Sequence, residues 1–299
     1  MVAETSKVII VILTYNQRDV TLRCLTSLTQ QCPAGQRILV WDNGSSDGTF
    51  EAVLRHFPKV QVHKHRRNLG VASGRNAAAR LAMRTSKPTH LLFLDNDMTV
   101  APGFMDALLA PFSKHSKLAQ TEAKIRFMDD PERLNAAGGS RICFSRGSTQ
   151  PVGYGEIDRG QYDQPRRCLP NGGATLVRAD LFLKLDGFDP IFDPYGPEDL
   201  DFSLRVQKAG YFGLYVPAAV VYHDHHRSVE GGTFNERYAA NKARHWLVFM
   251  RRHASLLQQL GFYLWGAPRA VLRVLVREGV HGNLGALRGL WKGYLRALK

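Results

Sequence analysis

The sequence predicts an α/β protein with a mainly parallel central sheet flanked by helices. Three observations support this class. Over the first hundred residues, short apolar runs take turns with segments of helical spacing. Within each run the residues are apolar without interruption, and a polar loop follows each run. Parallel strands covered on both faces are apolar along their whole length, and the intervening helices form the covering layers. With 44% hydrophobic and 22% charged residues, the composition is ordinary for a soluble globular enzyme.

The predicted elements of the first half follow one another in regular order. Strands are expected at Val8–Leu13, Ile38–Trp41, Val60–His63 and His90–Leu94. Helices are expected at Val20–Leu28, Gly48–Phe57 and Ser73–Arg84. Ligands of such sheets bind at the carboxyl ends of the strands, so the residues that end the strands are the first candidates for a site.

The second half of the chain is less regular. From about residue 120 to 165, Gly, Asp, Arg and Pro are frequent, which predicts loops and short strands over the site-bearing face. Helical spacing returns at Ala179–Leu185 and Asp199–Lys208, and Leu214–His223 is predicted to be a strand.

A basic tail follows the predicted α/β domain. We expect one domain over residues 1–235 and a helical extension over 236–299. Residues 241–299 hold 11 Lys and Arg against one acid, whereas the first 240 residues hold 29 against 25. Such a tail suits an anionic partner.

The last helix of the tail has two interpretations. Leu, Trp and Tyr recur at three- and four-residue steps over 284–298, with basic residues on the other face. This basic amphipathic helix either lies on an anionic membrane surface or packs on the catalytic body or a second subunit, which would make an oligomer. The uncharged stretch Ala254–Pro268 is shorter than the roughly 20 apolar residues of a membrane span. The tail lacks the interleaved aromatic residues of a nucleic-acid groove, which disfavours nucleic acid.

The strongest chemical signal is LLFLDND, residues 91–97, an apolar strand that ends in Asp95 and Asp97. Two carboxylates at a strand end form a hard oxygen site suited to Mg²⁺ or Mn²⁺, ions that bridge diphosphates. The alternative is a turn with solvated acids.

A second signal is ILVWDNGSSDGT, residues 38–49, where Asp42 ends a strand. Its carboxylate can accept hydrogen bonds from a base or ribose. The alternative, an N-cap before the next helix, explains Asp47 better.

These motifs resemble glycosyltransferase family 2, in the same order and with similar gaps. The segments that carry the resemblance are ILTYN at 12–16, WDNGSSDGT at 41–49, RNLGVASGRN at 67–76, FLDND at 93–97, LPNGGATLVRADLF at 169–182, GFDPIFDPYGPEDLDFSLRVQKAG at 187–210 and VPAAVVYH at 216–223. The resemblance covers about residues 7–250 and is nearest to the bacterial rhamnosyltransferase-like branch. It implies a GT-A fold, which is a nucleotide-binding α/β sheet with an Asp-x-Asp metal site. Residues 1–235 would then be the catalytic domain, with a nucleotide-binding half at about 1–120 and an acceptor half at about 121–235.

The resemblance also implies roles for individual residues. The nucleotide and donor would be held by Thr14, Tyr15, Asn16, Asp42, Arg75, Asn76 and Asp95. A metal ion, Mn²⁺ or Mg²⁺, would be held by Asp97, Asp95 and His223, with His223 favoured over His225. The acceptor would contact Glu198, Gly172 and Gly173, and Asp199 would be the general base. An acidic first turn is also common without catalysis, since the helix dipole stabilises it. Gly196-Pro197 departs from the family pattern.

These roles predict an inverting, metal-dependent glycosyltransferase that moves a sugar from a nucleotide-diphosphate donor to a hydroxyl acceptor. A lipid-linked glycan acceptor and a pathway to bacterial cell-surface polysaccharide or glycolipid would suit the tail. One alternative is a sugar nucleotidyltransferase, but ILTYNQRD does not supply a triphosphate loop. The other is a non-catalytic membrane- or nucleic-acid-binding module, against which the intact acidic motifs argue.

The predicted location is cytoplasmic, or peripheral on the inner face of the cell membrane. The four cysteines have no paired or metal-ligand spacing, and the first apolar run is too short for a secretory signal.

Overall fold

The structure, a computed structural model, describes residues 7–170, 173–224, 235–280 and 284–298. Its strands are β1 Val8–Thr14, β2 Arg37–Asp42, β3 Gln61–Lys64, β4 His90–Asp95, β5 Met98–Val100, β6 Leu118–Phe127, β7 Leu134–Ala137, β8 Ser140–Cys143, β9 Ser148–Pro151, β10 Arg166–Cys168, β11 Ala174–Arg178 and β12 Phe212–His223. Its helices are α1 Arg18–Gln31, α2 Thr49–His56, α3 Val71–Ser86, α4 Phe104–Leu109, α5 Ala179–Lys184, α6 Glu198–Lys208, α7 Glu236–His253, α8 Leu256–Gly261, α9 Ala267–Val280 and α10 Leu284–Leu298. A π-helical turn, Phe262–Gly266, joins α8 to α9.

The seven elements predicted for the first half are confirmed, with ends that differ by a few residues. The continuous apolar runs form strands because the sheet is covered on both faces. In β1, Ile10 and Ile12 pack into one hydrophobic core, whereas Ile9 and Val11 pack into a second core on the other face. Both faces of the strand are therefore shielded from water, as the sequence pattern predicts.

The main sheet has the order β10-β12-β6-β11-β4-β1-β2-β3. Strands β3, β2, β1 and β4 are parallel, β11 is antiparallel between β4 and β6, and β6 is parallel to β12. Thr14 pairs with Asp42, and Leu13 pairs with Asp95. The two candidate carboxylates therefore lie on either side of β1 at one edge of the sheet.

The prediction of irregular structure from residue 120 was wrong for its first part, because β6 is a ten-residue strand inside the sheet. Its buried positions include Gln120, Glu122 and Lys124, and these polar residues interrupt the continuous apolar run by which a central strand is predicted. The Lys124 ammonium lies 2.8 Å from a carboxylate oxygen of Asp158, which compensates the buried charge. The short strands β7, β8 and β9 agree with the prediction.

The C-terminal helices pack on the α/β domain through α7. Phe249 of α7 shares a buried cluster with Phe192 and Leu200, and Leu200 lies on α6. Helix α10 packs along α7. No helix in the described part of the chain is long and apolar enough to cross a membrane.

The closest approach of α10 to α7 is made by small residues, and Tyr294 of the predicted Leu, Trp and Tyr stripe is partly buried against Leu247 and Met250 of α7. The buried residues are Ala286, Gly289, Gly293 and Ala297. A Cβ atom at Gly289 would lie 2.1 Å from the carbonyl oxygen of Glu236, so only glycine allows this approach. Trp291 remains 67% exposed.

Candidate active site

The Asp42 carboxylate lies at the end of β2 and is fully buried. The Ser45 N–H donates to its Oδ1 at 2.7 Å. Its Oδ2 is also buried and has no hydrogen-bond partner among the described residues. A buried carboxylate oxygen without a donor is costly, and a hydroxyl or N–H group of a ligand would satisfy it.

The loop after β1 is tied to the loop after β2. The Asn16 N–H donates to the Ser45 hydroxyl at 2.9 Å, and the Ser46 N–H donates to Asn16 Oδ1 at 2.8 Å. The Thr14 hydroxyl lies 2.8 Å from that of Thr21 in a buried network. Tyr15 is 45% exposed. Of the three predicted loop residues, Tyr15 is therefore the one whose side chain is most open to a ligand.

Arg75 connects two of the predicted acidic positions. Its Nη2 lies 2.5 Å from Asp95 Oδ1, and its Nη1 lies 3.2 Å from Glu198 Oε1. Burial lowers the pKa of Arg75, but the neighbouring carboxylates outweigh burial and the pKa is raised. The guanidinium thus joins α3, the end of β4 and the start of α6 around one point.

Asn76 and Asp193 attach the segment before α6 to α3. The Asn76 amide donates to the Phe188 carbonyl at 2.6 Å and accepts from the Phe188 N–H at 2.9 Å. The Asp193 carboxylate accepts from the Ala72 N–H at 3.0 Å, near the start of α3. These bonds give Asn76 a positioning contact, and its predicted donor contact stays a prediction.

The acid pair Glu198-Asp199 begins α6. Burial, followed by the charge of Asp199, raises the pKa of Glu198 to about 8. Burial also raises the pKa of Asp199, although Arg75 acts in the opposite direction. Asp199 lines a cavity of about 1380 Å³. A carboxyl group whose pKa is shifted toward neutrality can exchange a proton with a ligand in that cavity.

The Gly196-Pro197 segment is held in place from two sides. The Gly196 N–H donates to Glu198 Oε2 at 3.2 Å. His245 Nδ1 on α7 lies 2.9 Å from the Tyr195 carbonyl oxygen, so this nitrogen donates. The extension therefore contacts the loop that precedes Asp199.

Asp97 and His223 form the pair that could hold a metal ion. Antiparallel pairing of β12 with β5 sets His223 opposite Met98. His223 Nε2 lies 3.4 Å from Asp97 Oδ2. Two neighbouring ligands of an octahedral ion with bonds of about 2.1 Å are separated by about 3 Å, so the spacing suits one shared ion. Burial lowers the pKa of His223, but the hydrogen bond to Asp97 and the charges of Asp97 and the neighbouring carboxylates together outweigh burial, so the pKa is raised.

The remaining predicted ligands differ in their surroundings. Asp95 directs Oδ1 at Arg75, and within the described residues no cluster of three His, Cys, Asp or Glu has metal-binding geometry. The Asp95 N–H donates to the Gly173 carbonyl at 2.7 Å. A Cβ atom at Gly173 would lie 2.1 Å from Asp95 Oδ2. Gly172 and His225 lie outside the described residues.

Several residues that shape the site escaped the sequence analysis. Asn135 lies 3.4 Å from His223, and His253 lies 2.8 Å from Asp201. Both are more than fifty residues away in sequence from the groups they contact. No local pattern links such positions. Asp201 also pairs with Arg205, one turn later on α6, at 2.8 Å.

The chain is similar to known glycosyltransferases in sequence. The family model described as glycosyl transferase family 2 matches residues 9–161. The N-acetylglucosaminyl-diphospho-decaprenol L-rhamnosyltransferase of Mycobacterium tuberculosis is 27% identical over 262 residues, which cover 82% of this chain and 84% of that protein.

Solved structures are similar in fold. The mannosyltransferase PcManGT from Pyrobaculum calidifontis, in complex with GDP-Man and Mn²⁺, has a TM-score of 0.57 at 16% identity and covers 98% of this chain and 84% of its own. GalNAc-T7 with UDP, GalNAc and Mn²⁺ has a TM-score of 0.59 at 20% identity over 73% of this chain and 43% of its own. The predicted GT-A fold is confirmed. With the family match over half of the chain, this protein is a rhamnosyltransferase-like member of glycosyltransferase family 2.

Proposed function

We propose that this glycosyltransferase moves a sugar from a nucleotide-diphosphate donor to an acceptor hydroxyl in one inverting displacement, with Asp199 as the general base. The observation that carries the proposal is the position of Asp199. Its carboxylate lines the large cavity at the start of α6, beside Glu198, which Arg75 links to Asp95 at the edge of the sheet. The edge of the sheet where the donor would bind and the cavity where the acceptor would bind therefore meet at Glu198 and Asp199.

In the proposed step, Asp199 takes the proton of the acceptor hydroxyl. The hydroxyl oxygen then forms a bond to the anomeric carbon from the side opposite the diphosphate. The bond from that carbon to the diphosphate oxygen breaks, and the sugar is transferred with inverted configuration. Burial helps this step because the raised pKa of Asp199 makes its carboxylate a stronger base than an exposed aspartate.

Asp97 and His223 would hold a divalent cation, with Asp95 as a further ligand or a ribose contact. A carboxylate suits both Mg²⁺ and Mn²⁺, and the added imidazole favours Mn²⁺. Such an ion neutralises the charge that develops on a leaving diphosphate. PcManGT and GalNAc-T7, which share the fold, were solved with Mn²⁺.

On the donor side, Asp42 Oδ2 would accept from the base or ribose, which would satisfy the buried oxygen that lacks a donor. Tyr15 would cover the nucleotide from the exposed loop, with Thr14 and Asn16 shaping that loop. Arg75 would keep Asp95 oriented toward the donor while it compensates the charge of Glu198.

The acceptor would be a lipid-linked glycan at the inner face of the cell membrane, in the synthesis of cell-surface polysaccharide. The Mycobacterium tuberculosis relative is named for a diphospho-decaprenol acceptor. Residues 241–299 supply the basic charge that attracts an anionic leaflet. The exposed Trp291 and Leu295 of α10 supply apolar contacts.

The experiment is a comparison of Asp199→Asn with Asp180→Asn, an acid of α5 whose side chain is 62% exposed. Turnover of Asp199→Asn should fall by about 10²- to 10⁴-fold, while its affinity for the donor stays unchanged in calorimetry. Asp180→Asn should match the parent. Transfer by Asp199→Asn at the parent rate, or a product with retained anomeric configuration in NMR, would exclude the mechanism.

A further inference from the structure

The cavity at Asp199 is larger than a sugar acceptor requires. Its volume is about 1380 Å³, and its walls come from the segment 145–149, the start of α6 and the helices α7, α9 and α10. Pockets that bury whole drug-sized ligands are commonly about 300–1,000 Å³. The space that the C-terminal helices enclose is therefore available to a further part of the acceptor.

The lining of this cavity is strongly basic away from Asp199. Four cations line it, Arg146, Lys242, Arg269 and Arg273, and Asp199 is the only carboxylate among the described lining residues. The Lys242 ammonium lies 5.7 Å from the ring centre of Tyr238. An anionic group is favoured in such a cavity, on the side that the C-terminal helices form.

Arg269 and Arg273 are arranged to hold two adjacent phosphates. They are four residues apart on α9, so they lie on the same face of the helix with Cβ atoms about 5–6 Å apart. Neither forms an ion pair with a carboxylate of the described residues, and both are exposed. Guanidinium groups bind phosphate oxygens through paired N–H donors. A diphosphate offers two linked phosphates, whose oxygens two long, flexible arginine side chains on one helix face can contact together.

An apolar surface continues from the arginine pair. Trp265 lines the cavity and is 71% exposed, and Leu264 and Leu272 are each 60% exposed. Single exposed apolar residues are ordinary, but a group of them beside a cationic cavity marks an interaction site. An alkyl or prenyl chain attached to a bound diphosphate would lie along this surface.

We propose that Arg269 and Arg273 form a binding site for the diphosphate of an amphiphilic acceptor, whose sugar reaches Asp199 and whose prenyl chain lies on the apolar surface of Leu264, Trp265 and Leu272. This inference rests on the proposed function, since it assigns the acceptor class for the same cavity. It gives the C-terminal helices a role in substrate binding as well as in packing.

The test measures calorimetric binding of a short-chain prenyl diphosphate to the full chain in the presence of chelator. The chelator prevents diphosphate capture by a metal ion. Arg269→Gln/Arg273→Gln is compared with Arg288→Gln/Arg296→Gln, which removes the same two charges from α10 at positions that do not line the cavity. Inorganic pyrophosphate and the prenyl alcohol serve as partial ligands, and thermal unfolding verifies that each variant is folded.

Prenyl diphosphate should bind the Arg269/Arg273 variant at least tenfold more weakly than the parent, a loss on the order expected for removed charged hydrogen bonds. The Arg288/Arg296 variant should bind it within twofold of the parent. Both partial ligands should bind the parent more weakly than the intact amphiphile. Equal binding by the two variants, or no binding by the parent, would overturn the site. Sugar transfer by Asp199→Asn is measured separately, so that transfer at the parent rate overturns the proposed function without affecting the binding result.

Discussion

Replacing Asp201 with Asn should destabilise the whole chain, because this carboxylate connects the helix that carries Asp199 to the C-terminal extension. Asp201 has no exposed surface and lies 2.8 Å from both Arg205 and His253. Burial alone would raise its pKa, but the hydrogen bonds from His253 and Arg205 outweigh burial and lower it. A lowered folded-state pKa means that this contribution is present at neutral pH and is lost as the pH falls below the ordinary aspartate value.

The size of the effect follows from the two short charged contacts. Removing one partner of a buried ion pair costs about 3–5 kcal/mol. Because Asn can still accept one hydrogen bond, we expect about 3 kcal/mol. For a chain of roughly this size, each kcal/mol lowers the melting temperature by about 2–4 °C, which gives a fall of about 6–12 °C at pH 7 in calorimetry.

The control for this prediction is Asp189→Asn. Asp189 lies 2.7 Å from Arg252 but is 31% exposed at its side chain, and exposed pairs contribute about 0–1 kcal/mol. Asn can still accept the hydrogen bond from the Ile191 N–H that Asp189 accepts. If both variants melted at the same temperature, the connection between α6 and α7 would not stabilise the fold, and the reasoning would be wrong.

Three further predictions concern the site itself. Gly173→Ala should lower donor affinity at least tenfold in calorimetry while the protein stays folded, because the new Cβ displaces the Asp95 carboxylate from Arg75. If the variant bound the donor as tightly as the parent, the packing argument would be refuted. The acid limb of kcat/KM should lie above pH 3.8, since burial raises the pKa of Asp199 and only the deprotonated base is active; a rate that stays flat down to pH 4 would contradict this. Asp97→Ala should remove the gain in donor affinity that Mn²⁺ gives, and parent activity in excess chelator would exclude a metal role.

The parallel half of the fold could be predicted because its signals are local. In β1 the residues 8–13 are apolar, in β4 the residues 91–94 are apolar, and a polar residue ends each strand. The sheet then brings Asp42 and Asp95 to one edge through pairing with β1. The order of the strands along the chain was sufficient to predict this meeting of the two carboxylates, because parallel strands place their carboxyl ends together.

Strand β6 could not be predicted, because its polar residues are satisfied by partners far away in sequence. In the sequence, Lys124 indicates a surface position, but in the structure its charge is paired with Asp158 and Asp163. The same limit applies to the site. Arg75 was assigned to the donor from its motif, but its contact with Glu198 spans 123 residues and is visible only in three dimensions.

The extension shows why an amphipathic pattern does not identify the face that is buried. In α10 the Leu, Trp and Tyr stripe left two interpretations, a membrane surface or packing on protein, and the helix packs on α7 through Gly289 and Gly293, which let two backbones approach closely. Large side chains on the other face, such as Trp291, then stay exposed. Small residues contribute little to a hydrophobicity pattern, so the pattern indicated a helix but not the residues of closest contact. Because Leu290 and Tyr294 of α10 line the cavity at Asp199, packing of α10 on α7 holds that wall in place, and the exposed Trp291 would remain available to the lipid part of the proposed acceptor.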